Sequence, residues 1–210
     1  MLSVIEQRQS VRSVIEQRQS VRKYDPTATI SKEQLTKLLQ LAGKAPSAWN
    51  LQHWHFVVFY GKEAQQKLLP IAYNQQQIVE ASAVVAVLGD LQANKKTDAV
   101  YDPLVAQGKM TKEIKDTLAK QIENAYTNAQ YARDAAFSNA SLAAMQLMLA
   151  AKAEGFDTCA IGGFDPQAFM KTFHIPDRYV PVMLITIGKA SAPAHPSSRL
   201  PINELTTWVE

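Results

Sequence analysis

Arg18-Gln19-Ser20-Val21-Arg22-Lys23-Tyr24-Asp25-Pro26 places three cations and a hydroxyl within six residues, directly ahead of an Asp-Pro step. A residue that precedes proline is pushed out of the α region, so a helix entering this stretch should stop by Asp25. Charged donors gathered at such a stop suit an anion such as a phosphate. Taken alone, a solvated basic turn is the commoner explanation of a short cationic cluster.

Upstream, Ser3–Arg12 and Ser13–Arg22 are the same decapeptide, SVIEQRQSVR, repeated without a mismatch. Ten residues are too few for a solenoid unit, so the repeat reads as a duplication rather than an architecture. Each copy offers a capping box, Ser3 with Glu6 and Ser13 with Glu16. Only the second runs directly into Lys23-Tyr24-Asp25-Pro26, which assigns the basic cluster to it. Residues 1–12 then form an extension, and 13–210 a single domain.

Downstream, Ser31-Lys32-Glu33-Gln34 is a further capping box, with Leu35, Leu38, Leu39 and Ala42 at helical spacing and Gly43 at the C′ position. His53–Tyr60 reads as a strand closed by Gly61, Lys62–Leu69 as a short helix, and Ala83–Leu88 as a buried strand. Leu91–Lys109 is polar, with Asp102-Pro103 and Gly108 as breakers, and reads as an excursion over a site. Thr111–Tyr131 is amphipathic, with Lys112, Lys115 and Lys120 on the wet side. Ala135–Ala153 is apolar all round, which calls for burial on every face and suggests a helix shared with a second subunit. Asp165-Pro166 is an N-cap followed by proline at N1. Tyr179–Ile187 is a strand whose Pro181 implies an edge or a strand start. The tail from Ser191 is irregular and carries Trp208, so it should pack on something. These elements sum to an α+β chain.

The chain has 210 residues, 47% apolar and 20% charged, with a net charge of +3. That suits one globular domain, and the charge is too small and scattered to argue for nucleic acid. A single cysteine, Cys159, excludes an intrachain disulfide. Without a long apolar run or a leader-like start, the expectation is a cytoplasmic protein that crosses no membrane. No G-x-G-x-x-G follows a first strand, and neither a P-loop nor a nucleophile turn is present. His53 and His55 share a face if both lie on the strand, yet a zinc site needs more ligands than these, and no metal is expected. Lys95-Lys96 reads as a solvated face, and Cys159 as a small buried group.

Four segments in order carry a more specific signal. They are the basic R-x-S-x-R-x-Y-D-P stretch, Ala45-Pro46-Ser47-Ala48-Trp49-Asn50-Leu51-Gln52, Ile161-Gly162-Gly163-Phe164, and Ser198-Arg199-Leu200-Pro201. In this order the sequence resembles the FMN-dependent nitroreductase family from about Ser13 onward. The resemblance implies a three-layer α/β/α fold around a central, mostly antiparallel sheet, in a homodimer with FMN at the subunit interface. It implies NADH or NADPH as reductant and a nitroaromatic or quinone as acceptor, in ping-pong order. It also implies the site residues. Arg18, Gln19 and Ser20 would approach the phosphate and ribityl chain, and Arg22 the N1/O2 edge of the flavin. Pro46, Ser47, Asn50 and Gln52 would reach the flavin of the other subunit, with Asn74 at the pyrimidine edge. Ile161, Gly162 and Gly163 would lay backbone against N5 and O4, and Arg199 would return to the phosphate. The flavin carries the chemistry, so no catalytic side chain is assigned. Gln19, Gly162 and Ser197 depart from the family's usual pattern; Gly162 stands where some relatives have an acid, which bears on substrate range. Other readings within this frame are a flavin store or sensor without turnover, or a dehalogenating or flavin-destroying relative. Read apart from the resemblance, Pro46–Gln52 is an ordinary turn, Trp49 a core side chain and Asn74 a cap.

Overall fold

The computed structural model describes residues 10–210. Its centre is a four-stranded antiparallel sheet of β1 (Trp54–Tyr60), β2 (Ala83–Asp90), β3 (Asp157–Ile161) and β4 (Tyr179–Gly188), in the order β1-β2-β4-β3. Every residue of β2 is buried, because both faces of the sheet are covered. Alternate side chains serve the two faces. Ala83, Val85 and Val87, with Ile185 and Ile187 of β4, meet α2 (Lys32–Ala42) and α7 (Ala129–Ala153) through Leu35, Leu38, Ala140, Ala144 and Leu147. Val84, Ala86, Leu88 and Leu184 meet α3 (Lys62–Leu68) and α8 (Pro166–Thr172) through Leu68 and Phe169. Helix, sheet and helix layers result, the expected α+β architecture. At Gly89 the helix comes so near the sheet that a Cβ would lie 2.8 Å from the Ala136 carbonyl oxygen. Only glycine fits such an approach.

Several caps stand as read. Ser31 and Gln34 exchange side-chain-to-backbone hydrogen bonds in a full capping box, and Asp165 accepts from Gln167 and Ala168 ahead of Pro166. Gly43 follows α2 in right-handed geometry, not at a left-handed C′ position, whereas Gly155 ends α7 with φ 77°. Pro181 lies at the third position of a central strand. It is tolerated there because β3 pairs with β4 only from Leu184 onward, so Pro181 has a neighbour on one side, next to a register shift at Val87/Leu88.

Other boundaries differ from the sequence reading. Helix α1 (Val11–Gln17) starts inside the first decapeptide: Ser10 caps it by accepting from the Ser13 amide, and the Ser13 hydroxyl accepts from Gln17 instead. The helix also stops at Gln17, well before Asp25-Pro26, since the basic stretch pairs with the sheet. The capping box at Ser3 and Glu6 lies outside the described residues. Asp102-Pro103 does not break the chain: it lies within α5 (Thr97–Ala106), where Pro103 forfeits a hydrogen bond but Tyr101 is buried and Lys115 pairs with both Asp98 and Asp102. Lys115 is therefore pinned rather than solvated. Helix α6 (Lys112–Tyr126) ends earlier and α7 begins earlier than the periodicity suggests, because the Asn128 side chain accepts from the Gln130 and Tyr131 amides and caps a new helix.

Helix α7 is not buried on every face within one chain. Leu142 and Met145 stay exposed, and so do Leu200, Ile202, Leu205 and Trp208 of the tail, the last at 82%. Among the described residues, no helix is long and apolar enough to cross a membrane.

Candidate functional site

The basic stretch lies against β3. Beyond Gln17 the backbone is extended, Ser20 forms a parallel bridge to Thr158, and the Val21 amide donates to the Thr158 carbonyl at 3.0 Å. Val21 and Tyr24 turn inward, leaving Arg22 and Lys23 outside. The Tyr24 hydroxyl lies 2.8 Å from the Thr186 hydroxyl, and burial raises its pKa, so it stays neutral and anchors the strip. The tail begins beside it, with the Ser191 amide donating to the Lys23 carbonyl at 3.0 Å.

Arg18, Ser20 and Arg22 converge over β3. All three act on Cys159: burial pushes the thiol up, while Arg22, the Ser20 hydrogen bond and Arg18 pull it back. Among the described residues no ion pair engages Arg18, Arg22 or Arg199. Two uncompensated guanidiniums beside a hydroxyl form an anion platform. Gln19 is exposed at its edge.

Strand β3 then delivers Gly162 and Gly163. The Ile161 side chain is buried in the core, so only its backbone is on offer, whereas both glycines are exposed and a Cβ at Gly162 would meet nothing within 4 Å. The Gln75 side chain donates to the Gly163 carbonyl at 2.7 Å, tying the 73–75 turn to the same edge. That turn is strained, with Tyr73 at φ 53° and Asn74 at φ 57°, and Asn74 is exposed. One chain thus brings Arg18, Gln19, Ser20, Arg22, Asn74 and Ile161-Gly162-Gly163 to one edge of the sheet.

The Pro46–Gln52 loop is a separate structure. Trp49, Asn50 and Gln52 all have φ of 50–54°, a rare conformation for any residue but glycine and a costly one for tryptophan. Ser47 folds back to accept from the Gln52 amide at 2.9 Å. Three outside side chains hold the loop's backbone. Asn139 of α7 accepts from the Ala48 amide at 2.8 Å, Tyr101 donates to the Trp49 carbonyl at 2.9 Å, and Lys96 donates to the Gln52 carbonyl at 2.7 Å. Trp49 is half-buried, 6.1 Å from the Tyr131 ring in an edge-on contact, and Pro46 and Asn50 are exposed. Among the described residues, no hydrogen bond or ion pair links this loop to the basic stretch. Arg199 stands apart too, its guanidinium turned onto its own neighbour's carbonyl, Ser198, at 2.7 Å.

Two readings near this loop need correction. Lys96 is not on a solvated face: it pairs at 3.0 Å with Asp90, which is fully buried and also takes a two-pronged bond from Arg178 at 2.8 Å. Burial opposes ionisation of Asp90, but Arg178 and Lys96 bring its pKa below the usual carboxylate range. Nor do the two histidines share surroundings. His53 precedes β1 and is fully buried, stacked 6.5 Å from the Tyr126 ring, whereas His55 is exposed against Tyr179. Burial and the Lys96 charge lower the His53 pKa to about 4, so its ring is neutral at ordinary pH. Asp90, Lys96, Tyr101, Asn139 and Arg178 were not selected from sequence. An aspartate closing an apolar strand and an asparagine inside an alanine-rich helix were the available signals.

Comparison with known proteins fits this geometry. The nitroreductase family model matches residues 15–189. A Bacillus subtilis protein, provisionally named NAD(P)H nitroreductase YodC, is 63% identical over 208 residues, covering 99% of this chain and 98% of its own. A conjugated-linoleic-acid (CLA) biosynthesis enone reductase of Lactiplantibacillus plantarum is 38% identical over 174 residues, 80% of each. Among solved structures, the FMN complex of a provisionally named nitroreductase from Exiguobacterium sibiricum superposes with a TM-score of 0.89 at 40% identity, covering 96% of this chain and 98% of that one.

Proposed function

The chain belongs to the nitroreductase family, and from that premise we propose that it passes hydride from NAD(P)H to a nitroaromatic, quinone or related acceptor in ping-pong order. It is an NAD(P)H-dependent FMN oxidoreductase. When bound, FMN supplies the chemistry by accepting hydride at N5 and yielding it to the second substrate.

The observation that carries the site is the convergence of Arg18, Ser20 and Arg22 beside the exposed Gly162-Gly163 edge. The donor set fits the group. Arg18 and the Ser20 hydroxyl offer the phosphate a cation and a polar partner, with Gln19 at the rim. Arg22 would hold positive charge against the N1/O2 edge, which favours the reduced flavin. Ile161, Gly162 and Gly163 would present backbone to N5 and O4, and Asn74, tied in through Gln75, would reach the pyrimidine. No protein acid or base is required.

A second subunit completes the site in this reading. Pro46, Ser47, Asn50 and Gln52 stand apart from their own chain's basic stretch, as does Arg199. The exposed Leu142 and Met145 of α7, and the apolar tail, offer the surface on which a partner would pack. Residues 13–210 act as one FMN-binding domain behind the 1–12 extension, in the cytoplasm. The likeness to an enone reductase adds conjugated enones to the acceptor classes worth assaying.

An absorption spectrum of the purified protein, before and after anaerobic NADPH, tests the core of the proposal. A flavin spectrum bleached by NADPH and restored by a quinone is expected. A protein that stays colourless with added FMN would refute the assignment, and bleaching without turnover would favour the store or sensor.

A further inference from the structure

The Pro46–Gln52 loop holds its strained shape against a buried charge. Gln52 has φ 50°, and its carbonyl accepts twice, from the Trp54 amide at 2.8 Å and from Lys96 at 2.7 Å. The Lys96 ammonium is itself fixed by Asp90 at 3.0 Å. Asp90 is fully buried at the end of β2 and anchored on every side: Arg178 grips both oxygens at 2.8 Å, and the Gln92 amide donates to it at 3.0 Å. Its own amide donates to the His53 carbonyl at 2.8 Å, one residue past the loop.

We propose that Lys96 is a positioning residue for the cofactor. Through the Asp90–Arg178 pair it locks Gln52, and so the Ser47–Gln52 turn, in the conformation that meets FMN. A buried carboxylate that already satisfies Arg178 is a fixed point, since moving it would strand a desolvated charge. Lys96 transfers that fixity to a backbone carbonyl, because an ammonium has several donors and can bond Asp90 and Gln52 together. The arrangement explains why a left-handed Trp49-Asn50 and Gln52 persist where no glycine is present: strained backbone survives only when its surroundings over-determine it. Asn139 and Tyr101 secure the front of the loop; Lys96 alone secures its exit by a charge. This inference rests on the placement of the loop at the flavin.

The test is Lys96→Met in the full chain, with Lys96→Arg as the conservative variant. Lys62→Met is the control, since Lys62 makes a like bond to the Val79 carbonyl, outside the loop. Two readouts are taken: amide hydrogen exchange of residues 47–52 without cofactor, and the FMN dissociation constant from flavin fluorescence quenching. Lys96→Met is expected to speed exchange in the loop, with the Ile185 amide of β4 unchanged, and to weaken FMN about tenfold. Lys96→Arg should restore most of both, and Lys62→Met should change neither. Unchanged loop exchange in Lys96→Met overturns the positioning role. Faster loop exchange with unaltered FMN affinity overturns its link to the cofactor and counts against the loop as a flavin contact. If the unaltered protein takes up no FMN, it is the functional reading that fails, and the exchange result still decides whether Lys96 holds the loop.

Discussion

Ser10-Val11-Arg12 and Ser20-Val21-Arg22 have the same sequence and opposite structures. In the first, Ser10 caps α1, Val11 is 75% exposed, and Arg12 pairs with Glu16 on the helix surface. In the second, Ser20 bridges to Thr158, Val21 is 4% exposed, and Arg22 stands outside without a carboxylate. Local propensity is identical for both, so it cannot separate them. The sheet does. Only the second copy adjoins Tyr24, which is buried and bonded to Thr186, and that anchor lays the preceding residues along β3. A bulky β-branched residue is at home either in a helix's first turn or in an extended strip, and burial chooses.

The contrast can be broken in order of size. Val21→Asp should cost about 3–5 kcal/mol by burying an unpaired charge, and Val11→Asp less than about 0.5 kcal/mol, both read from urea denaturation. Equal losses would mean that the copies share the anchoring role. Arg22→Ala should weaken FMN roughly 30-fold, equivalent to about 2 kcal/mol for a charged hydrogen bond, whereas Arg12→Ala leaves titration by FMN unchanged. An Arg12 effect as large as that of Arg22 would reverse the assignment of the site.

The two histidines repeat the lesson at a smaller scale. The pKa of buried His53 is depressed to about 4 from 6.5, so the folded state binds fewer protons than the unfolded chain between those values. Stability is therefore full above pH 6.5 and falls as pH drops towards 4, by on the order of 1–2 kcal/mol. His53→Gln should flatten the slope of melting temperature against pH in that window; a slope that persists would place its origin elsewhere. Ser10→Ala should cost about 1 kcal/mol through loss of the α1 cap. Deleting Ser3–Arg12 should leave FMN content unaltered, since Ser13 and Glu16 can cap a shortened helix; loss of flavin would show that the first copy contributes to the site.

Much of the fold was legible because its signals are local. The Ser31–Gln34 box, the Asp165-Pro166 start and the unbroken apolar run of β2 each depend on residues within one or two turns of each other. The break at Asn128 was hidden because helical periodicity runs on through it, and Lys96 looked solvated because its partner, Asp90, belongs to another element. The four motifs of the site were legible as segments. Their grouping was not: the basic stretch and Gly162-Gly163 meet only through the β3 register, and the Pro46–Gln52 loop and Arg199 stand apart in a single chain.

By itself, then, the sequence determined which segments are helix or strand wherever a cap or an apolar run marks them, and which residue types are able to hold an anion beside an open backbone. Tertiary structure decided which copy of a repeated decapeptide joins the sheet, which lysine is held rather than free, and which loop is strained. Those choices turn on burial and on partners far along the chain, and neither is a property of a residue's neighbours in sequence.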